Sequence, residues 1–265
     1  MTSTYEQLCF QTCEVARAAG AFIAAQAKGF KSSMIENKGL HDLVSYVDRE
    51  AEKMIIDRLS LIIPDAGFIA EEGTNTQRGD TFNWIIDPLD GTTNFMQGIP
   101  VYAVSIALMH KDELVLGVVY EIGQQECFYA WKDGGAFLNG VKISVTDKSD
   151  MHQALLATGF PYSNFDHLDA YMEFLKWALV NARGVRRLGS AATDLAFVAC
   201  GRFDAFWEYD LKPWDVAAGA LLVLEAGGKV SDFKGSADYV FGRTIIASNS
   251  LLNKGIISKI NELID

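Results

Sequence analysis

The sequence predicts a layered α/β protein built as two closely packed halves. Three observations carry that prediction. Two long segments with helical spacing of apolar residues open the chain, short β-prone runs joined by tight turns fill residues 82–143, and strands alternate with helices from residue 154 onward. A length of 265 residues suits one large domain or two packed ones, and 49% hydrophobic with 22% charged residues is an ordinary globular composition.

From Tyr5 to Gln26 the residues Leu8, Val15, Ala19, Phe22 and Ile23 recur at helical spacing, and a turn-rich stretch from Lys28 to Gly39 follows. A second helix is expected to open near His41-Asp42 and run to Ile63. It carries Val44, Val47, Ala51, Met54, Ile55, Leu59 and Ile62 along one side and is stopped by Pro64 and Gly67. Phe82 to Ile86 reads as a strand ending at Asp87. Val101–Leu108, Leu114–Tyr120 and Glu126–Trp131 read as strands joined at Lys111-Asp112 and Gly123-Gln124, connections so short that neighbours must pair antiparallel. Asn139-Gly140, between Ala136–Leu138 and Val141–Ile143, is a two-residue hairpin signal.

The last third alternates. Ala154–Thr158, Ala205–Glu208 and Thr244–Ala247 read as strands; Leu168–Asn181, Ala191–Ala199, Val216–Ala226 and Leu251–Leu263 read as helices, the third stopped by Gly227-Gly228. The meander gives way to alternation at Lys148–Met151. Residues 1–148 are therefore expected to form one half and residues 149–265 the other.

With 23 Lys and Arg against 34 Asp and Glu, the formal net charge is 23 − 34 = −11. That sign opposes nucleic-acid and membrane-surface partners, although bound cations can invert the field locally. Cys9, Cys13, Cys127 and Cys200 form no CxxC pair and read as small buried hydrophobes of a reducing compartment. The first residues lack the basic and apolar regions of a signal peptide, and no uninterrupted apolar run approaches a membrane span of about 18 residues. The expectation is a cytoplasmic protein.

Acids stand where solvated surface does not explain them. Glu71 and Glu72 follow the apolar Ile69-Ala70, Asp87 and Asp90 sit three apart at the mouth of a strand, Asp215 opens a helix, and Asp48 lies within the second helix. Hard cations such as Mg2+ require oxygen ligands of this kind. Pro88 restrains the turn so that Asp87 and Asp90 aim at one point with the Leu89 carbonyl freed between them, and the Gly91 and Thr92 N–H groups lie beside it as an anion site. Glu71, Asp87, Asp90 and Asp215 sum to −4, which two Mg2+ neutralise; a phosphate dianion arriving with a third keeps the balance. Without cations, such crowding raises carboxylate pKa values.

Other chemistries find no support. His41, His110, His152 and His167 are scattered, and Gly184 to Ser190 mimics a phosphate-loop spacing without the lysine that should precede the serine. Neither a G-x-S-x-G elbow nor a G-x-G-x-x-G fingerprint occurs.

The run Trp84 to Phe95, the run Lys212 to Gly219, Asp42 to Ser45 with Asp48, and Gly189 to Ala192 together resemble the inositol monophosphatase family of Mg2+-dependent sugar-phosphate phosphatases, in the same order over about Lys38 to Gly228. The resemblance implies a five-layered αβαβα sandwich of the sugar-phosphatase type, usually a homodimer. It implies Glu71, Asp87 and the Leu89 carbonyl at a first metal, Asp87, Asp90 and Asp215 at a second, and Glu71 with Lys38 near a third. Asp48 and Thr92 resemble a water-activating pair, Gly91, Thr92 and Thr93 a phosphate loop, and Asp90, Ala191, Glu208 and Asp215 the contacts to substrate hydroxyls.

The implied reaction is in-line attack by water on inositol monophosphate or a related polyol phosphate, blocked by Li+. Thr93-Asn94-Phe95 departs from the Lys-Glu-Phe of bisphosphate nucleotidases. Fructose bisphosphatase activity is the nearer alternative, with Lys212 or Arg187 reaching a second phosphate. A weaker alternative is a regulatory role in which Arg183, Arg186, Arg187 and Arg202 contact RNA or a protein.

Overall fold

The computed structural model describes residues 4–27, 29, 35–37, 43–162 and 164–263. Helix α1 (Tyr5–Ala27) leads to strands β1 (Ile35–Asn37) and β2 (Leu43–Ser45) and to α2 (Tyr46–Ile62). Then come β3 (Gly67–Ala70), β4 (Phe82–Asp90), α3 (Thr92–Gln97), β5 (Ala103–His110), β6 (Glu113–Glu121), β7 (Glu126–Trp131), β8 (Gly135–Leu138) and β9 (Val141–Ile143). The remainder is β10 (Leu155–Thr158), α4 (Leu168–Asn181), β11 (Gly184–Arg186), α5 (Ala191–Ala199), β12 (Ala205–Tyr209), α6 (Pro213–Glu225), β13 (Lys229–Ser231), β14 (Thr244–Ser248) and α7 (Asn253–Leu263).

β3 to β9 form a seven-stranded sheet in chain order, antiparallel except for the parallel β3–β4 pair. The second sheet has the order β11-β10-β12-β14-β13 and is mixed. α1 and α2 cover the outer face of the first sheet, α5 and α6 lie between the sheets, and α4 and α7 cover the outer face of the second. The expected αβαβα sandwich is thus the observed architecture.

Burial explains the residue choices. Both faces of the first sheet are covered: Trp84 and Ile86 of β4 point toward α1 and α2, while Ile85 points toward α5 and α6. A strand buried on both sides reads as a continuous apolar run, as Trp84-Ile85-Ile86 does. The central helices are apolar all round for the same reason; all nine residues of α5 are buried, as is every residue of α6 from Val216 to Val223. The hairpin turn forms at Asn139 (φ 48°) and Gly140 (φ 87°). All four cysteines are free thiols, three of them buried, and among the described residues no helix is long and apolar enough to cross a membrane.

Four expectations are corrected. The stretch expected to be only turns holds β1, which pairs antiparallel with β2 in the register Ile35↔Ser45. The second helix begins at Tyr46 rather than near His41-Asp42 (the latter two lie outside the described residues), because backbone pairing claims Leu43–Ser45. The β4 strand does not stop at Asp87. Its register with β5 shifts between Asp87 and Asp90, and pairing resumes at Asp90↔Ala103, so Pro88 sits inside a bulge where its missing N–H costs no ladder bond. Finally, the three- and four-residue strands β3, β11 and β13 are too short to show a period, and only their partners reveal them.

Candidate active site

The bulge at the end of β4 turns successive side chains toward one place. Asp87 is 2% exposed, and its Oδ1 accepts a hydrogen bond from the Leu89 N–H at 2.9 Å. Asp90 follows at the strand end, and Asp215 joins from the first turn of α6, where its Oδ2 accepts from the Lys212 N–H at 2.7 Å. One carboxylate oxygen from each of Asp87, Asp90 and Asp215 falls within a 4.8 Å group. Glu71, just past β3, lines the same cavity and is close enough to Asp87 to raise its pKa.

The loop after Asp90 turns at Gly91, whose φ of 96° is left-handed and whose Cβ position lies 3.0 Å from the Val101 carbonyl oxygen, so a side chain there meets both strain and crowding. Thr92 opens α3. Its hydroxyl lies 3.1 Å from Asp48 Oδ1 and 3.0 Å from the Leu89 carbonyl oxygen, and Asp48 is itself buried in α2. Leu89, Gly91, Thr92 and Thr93 all line the cavity, whose volume is about 540 Å³.

The opposite wall comes from the second sheet and α5. Glu208 on β12 is buried, and Gly159 leaves the room its carboxylate occupies. Ala191 and Asp194 line the wall from α5. Asp194 Oδ1 is buried without a hydrogen-bond partner.

Electrostatics follow from crowding buried and half-buried acids in one cleft. Burial first, then Glu71, Asp90 and Asp215, push Asp87 well above the usual carboxylate range. Burial raises Asp90 to about 6 even though Ser190 and the Ala192 N–H favour its charged form. Asp215 rises to about 7 through burial and then Asp90. Glu208 and Asp194 are likewise raised by burial, Glu208 next by Asp194 and Asp194 next by Asp90. These are oxygen donors that a hard divalent cation satisfies, and the donor set fits Mg2+.

The structure therefore brings together Glu71, Asp87, Leu89, Asp90, Gly91, Thr92, Thr93, Ala191, Glu208 and Asp215 around one cavity, with Asp48 behind Thr92. Lys38 lies outside the described residues. Asp210 also lines the cavity but is engaged by Arg243 and by the Asn164 N–H at 3.0 Å. Of the four arginines, Arg202 pairs with Glu126 in two bonds of 2.5 and 2.6 Å, whereas Arg187 lines the cavity.

Sequence reasoning missed Glu52. It is fully buried in α2 and accepts bonds from the Glu72 N–H at 2.7 Å, the Thr74 N–H at 2.8 Å and the Thr74 hydroxyl at 2.6 Å. Glu52 thereby fixes the loop that carries Glu71. The available signal was an acid four residues after Asp48, inside the apolar stripe of Val47, Ala51 and Ile55. Asp194 was missed because nothing in the α5 pattern separates an aspartate facing a cavity from a first-turn acid.

Fold and cleft define a layered α/β phosphatase. The sequence model of the inositol monophosphatase family matches residues 4–265, and the chain belongs to that family. It is 42% identical over 250 residues to the Nus factor SuhB of Pseudomonas aeruginosa, covering 92% of both chains. It is 38% identical over 250 residues to the inositol-1-monophosphatase of Mesorhizobium japonicum, covering 94% of both. Among solved structures, the extragenic suppressor protein suhB of Bartonella henselae superimposes with a TM-score of 0.90 at 37% identity, over 96% of this chain and 98% of that one.

Proposed function

We propose that the protein hydrolyses the phosphate monoester of inositol or a related polyol, with two to three Mg2+ held by Glu71, Asp87, the Leu89 carbonyl, Asp90 and Asp215. The observation that carries this reading is the convergence of three carboxylates within 4.8 Å, next to the Thr92–Asp48 pair. When bound, divalent cations draw charge from the phosphoryl oxygens and lower the pKa of a nearby water.

The chain's own residues do the rest. Asp48 accepts from the Thr92 hydroxyl, which orients a water for attack and passes on the proton it loses. The N–H groups of Gly91, Thr92 and Thr93 hold the phosphate oxygens, so that the ester is aligned before attack. Glu208 and the Ala191 backbone take substrate hydroxyls at the far wall, while Asp90 and Asp215 would hold the cations and stand within the same cavity as the sugar. Glu52 keeps the Glu71 loop in place. Family membership supports Li+ inhibition, a homodimer and a cytoplasmic location as parts of the same reading.

Phosphate release with and without Mg2+ from inositol phosphates, fructose bisphosphate, histidinol phosphate and a bisphosphate nucleotide tests it. Mg2+-dependent release that is fastest from a polyol monophosphate is the expected result. Preference for fructose bisphosphate selects the other sugar-phosphate reading, and release from none sinks both. A second, regulatory role is favoured by the relative named as a Nus factor. Its test is a catalytically inactive variant that still supports the cellular phenotype of the intact gene.

A further inference from the structure

Asp194 is a buried acid that the helix carrying it does not use. It stands in the first turn of α5, is 1% exposed and lines the cavity, and its Oδ1 has no hydrogen-bond partner. First-turn acids commonly serve a helix N-terminus. Here that end is already served. The Ala192 N–H donates to Asp90 Oδ2 at 2.7 Å, the Thr193 N–H to Ser190 Oγ at 3.3 Å, and the Asp194 N–H to the Ser190 carbonyl at 2.9 Å. A buried carboxylate oxygen left unpaired is costly, so the donor that satisfies it is expected from outside the chain.

A second acid stands near it. Glu208 on β12 is 7% exposed, and a Cβ on Gly159 would fall 2.1 Å from its Oε2, so glycine keeps that wall open for the carboxylate. Asp194 is the neighbouring charge that acts most strongly on Glu208, and Arg187 is a cation that acts on both. Among the described residues, no salt bridge joins Arg187 to either acid. With both acids ionised, two negative charges face this one positive charge, and the wall keeps an excess of negative charge.

The cation that fits this wall is singly charged. A hard divalent ion takes about six oxygen ligands. Among the described residues, the acids whose oxygens gather within 4.8 Å are Asp87, Asp90 and Asp215, without Asp194 or Glu208. A primary ammonium brings only three donors, and its bonds to carboxylates are about twice as strong as neutral ones. We infer that Asp194 and Glu208 form an ammonium subsite at the far wall, so that the cavity takes phosphate esters of amino alcohols and amino sugars. Asp194 is the residue that selects an amine over the hydroxyl in its place. This rests on the phosphatase reading above and names a substrate class for that same site.

The test measures steady-state phosphate release with Mg2+ from pairs that differ by one ammonium in place of one hydroxyl. Serinol phosphate is set against glycerol phosphate, and the terminal phosphates of glucosamine and galactosamine against those of glucose and galactose. In at least one pair the amino member is expected to lead in kcat/KM by about tenfold or more. Asp194→Asn keeps the shape and loses the charge. In that variant the ratio is expected to fall about tenfold, mainly through the KM of the amino member. A role confined to folding would lower both members together and leave the ratio where it was.

A thermal titration in Mg2+ with free serinol and glucosamine, against glycerol and glucose, reads the subsite without turnover. The amines are expected to raise the Tm of wild type more than the alcohols do at equal concentration, and Asp194→Asn is expected to erase that difference. Equal stabilisation by amine and alcohol in wild type overturns the subsite. So does a difference that survives in Asp194→Asn, or a ratio that the substitution leaves unchanged. If wild type releases phosphate from no ester while amines still stabilise it through Asp194, the phosphatase reading falls and the substrate class with it, and the ammonium site itself stands. Hydrolysis that is indifferent to the amine in every pair removes the subsite alone.

Discussion

Asp90 Oδ2 accepts a hydrogen bond from Ser190 Oγ at 2.6 Å, across 100 residues of chain. The Ala192 N–H donates to the same oxygen at 2.7 Å, so the end of β4 is locked to the start of α5 and one oxygen of Asp90 stays directed at the cleft. Ser190 also caps α5 through the Thr193 N–H at 3.3 Å.

Ser190→Ala removes both services. Loss of the cap alone costs about 1 kcal/mol, a fall in Tm of roughly 2–4 °C for a chain of this size. Calorimetry reads that fall. A parallel rise in the Mg2+ concentration needed for half-maximal activity shows that Asp90 has lost its aim; an unchanged Mg2+ requirement would reduce Ser190 to a helix cap.

Asp215→Asn takes one charge from the carboxylate group while keeping its shape. Phosphate release is expected to fall about a hundredfold or more, with the far-ultraviolet circular dichroism of wild type retained. Activity within about tenfold of wild type disproves the assignment of Asp215 to a metal.

Thr92→Ala breaks the link to Asp48 and leaves the phosphate-facing N–H groups intact. The expected signature is a kcat loss larger than any change in KM. The reverse pattern would make Thr92 a binding residue only.

Glu52→Gln replaces a carboxylate that accepts from two N–H groups and a hydroxyl with an amide whose NH2 faces donors. Charge-assisted bonds of this kind are worth about 1.5–3 kcal/mol each, so a lowered Tm is expected together with a raised Mg2+ requirement, because the loop holding Glu71 loosens. A Tm loss with unaltered Mg2+ dependence would confine Glu52 to a structural role.

Stability should depend on pH and Mg2+ jointly. Asp90 at about 6 and Asp215 at about 7 hold protons that the unfolded chain, with carboxylates near 3.8, has already released. In metal-free protein these groups therefore withdraw stability as pH rises from about 4 through 7, after which their effect levels off. Protons and Mg2+ compete for the same oxygens. The Tm gain on adding Mg2+ is expected to be larger at pH 8 than at pH 5, and equal gains would separate these acids from the cation.

Much of this was legible beforehand, for identifiable reasons. Trp84 to Thr93 places acids, a proline and a glycine within one short run, and close spacing is information that sequence carries directly. The hairpin at Asn139-Gly140 is local in the same sense, since φ of 48° and 87° suit those residues. The start of α2 was misread because Val44 fits both a helical stripe and a strand, and only the chain opposite it, Ile35–Asn37, decides. Glu52 was silent for a similar reason: the residues it binds lie 20 and 22 positions away.

The chain alone specified helix and strand wherever apolar period and turn residues agree, because those are properties of neighbouring residues. It also specified a local acid-rich loop suited to a cation. Which acids share one cavity, and which of them are held by Ser190 or Glu52, were decided only by folding. Those relations arise when two sheets close on α5 and α6, and burial there sets the charges of groups that lie far apart in sequence.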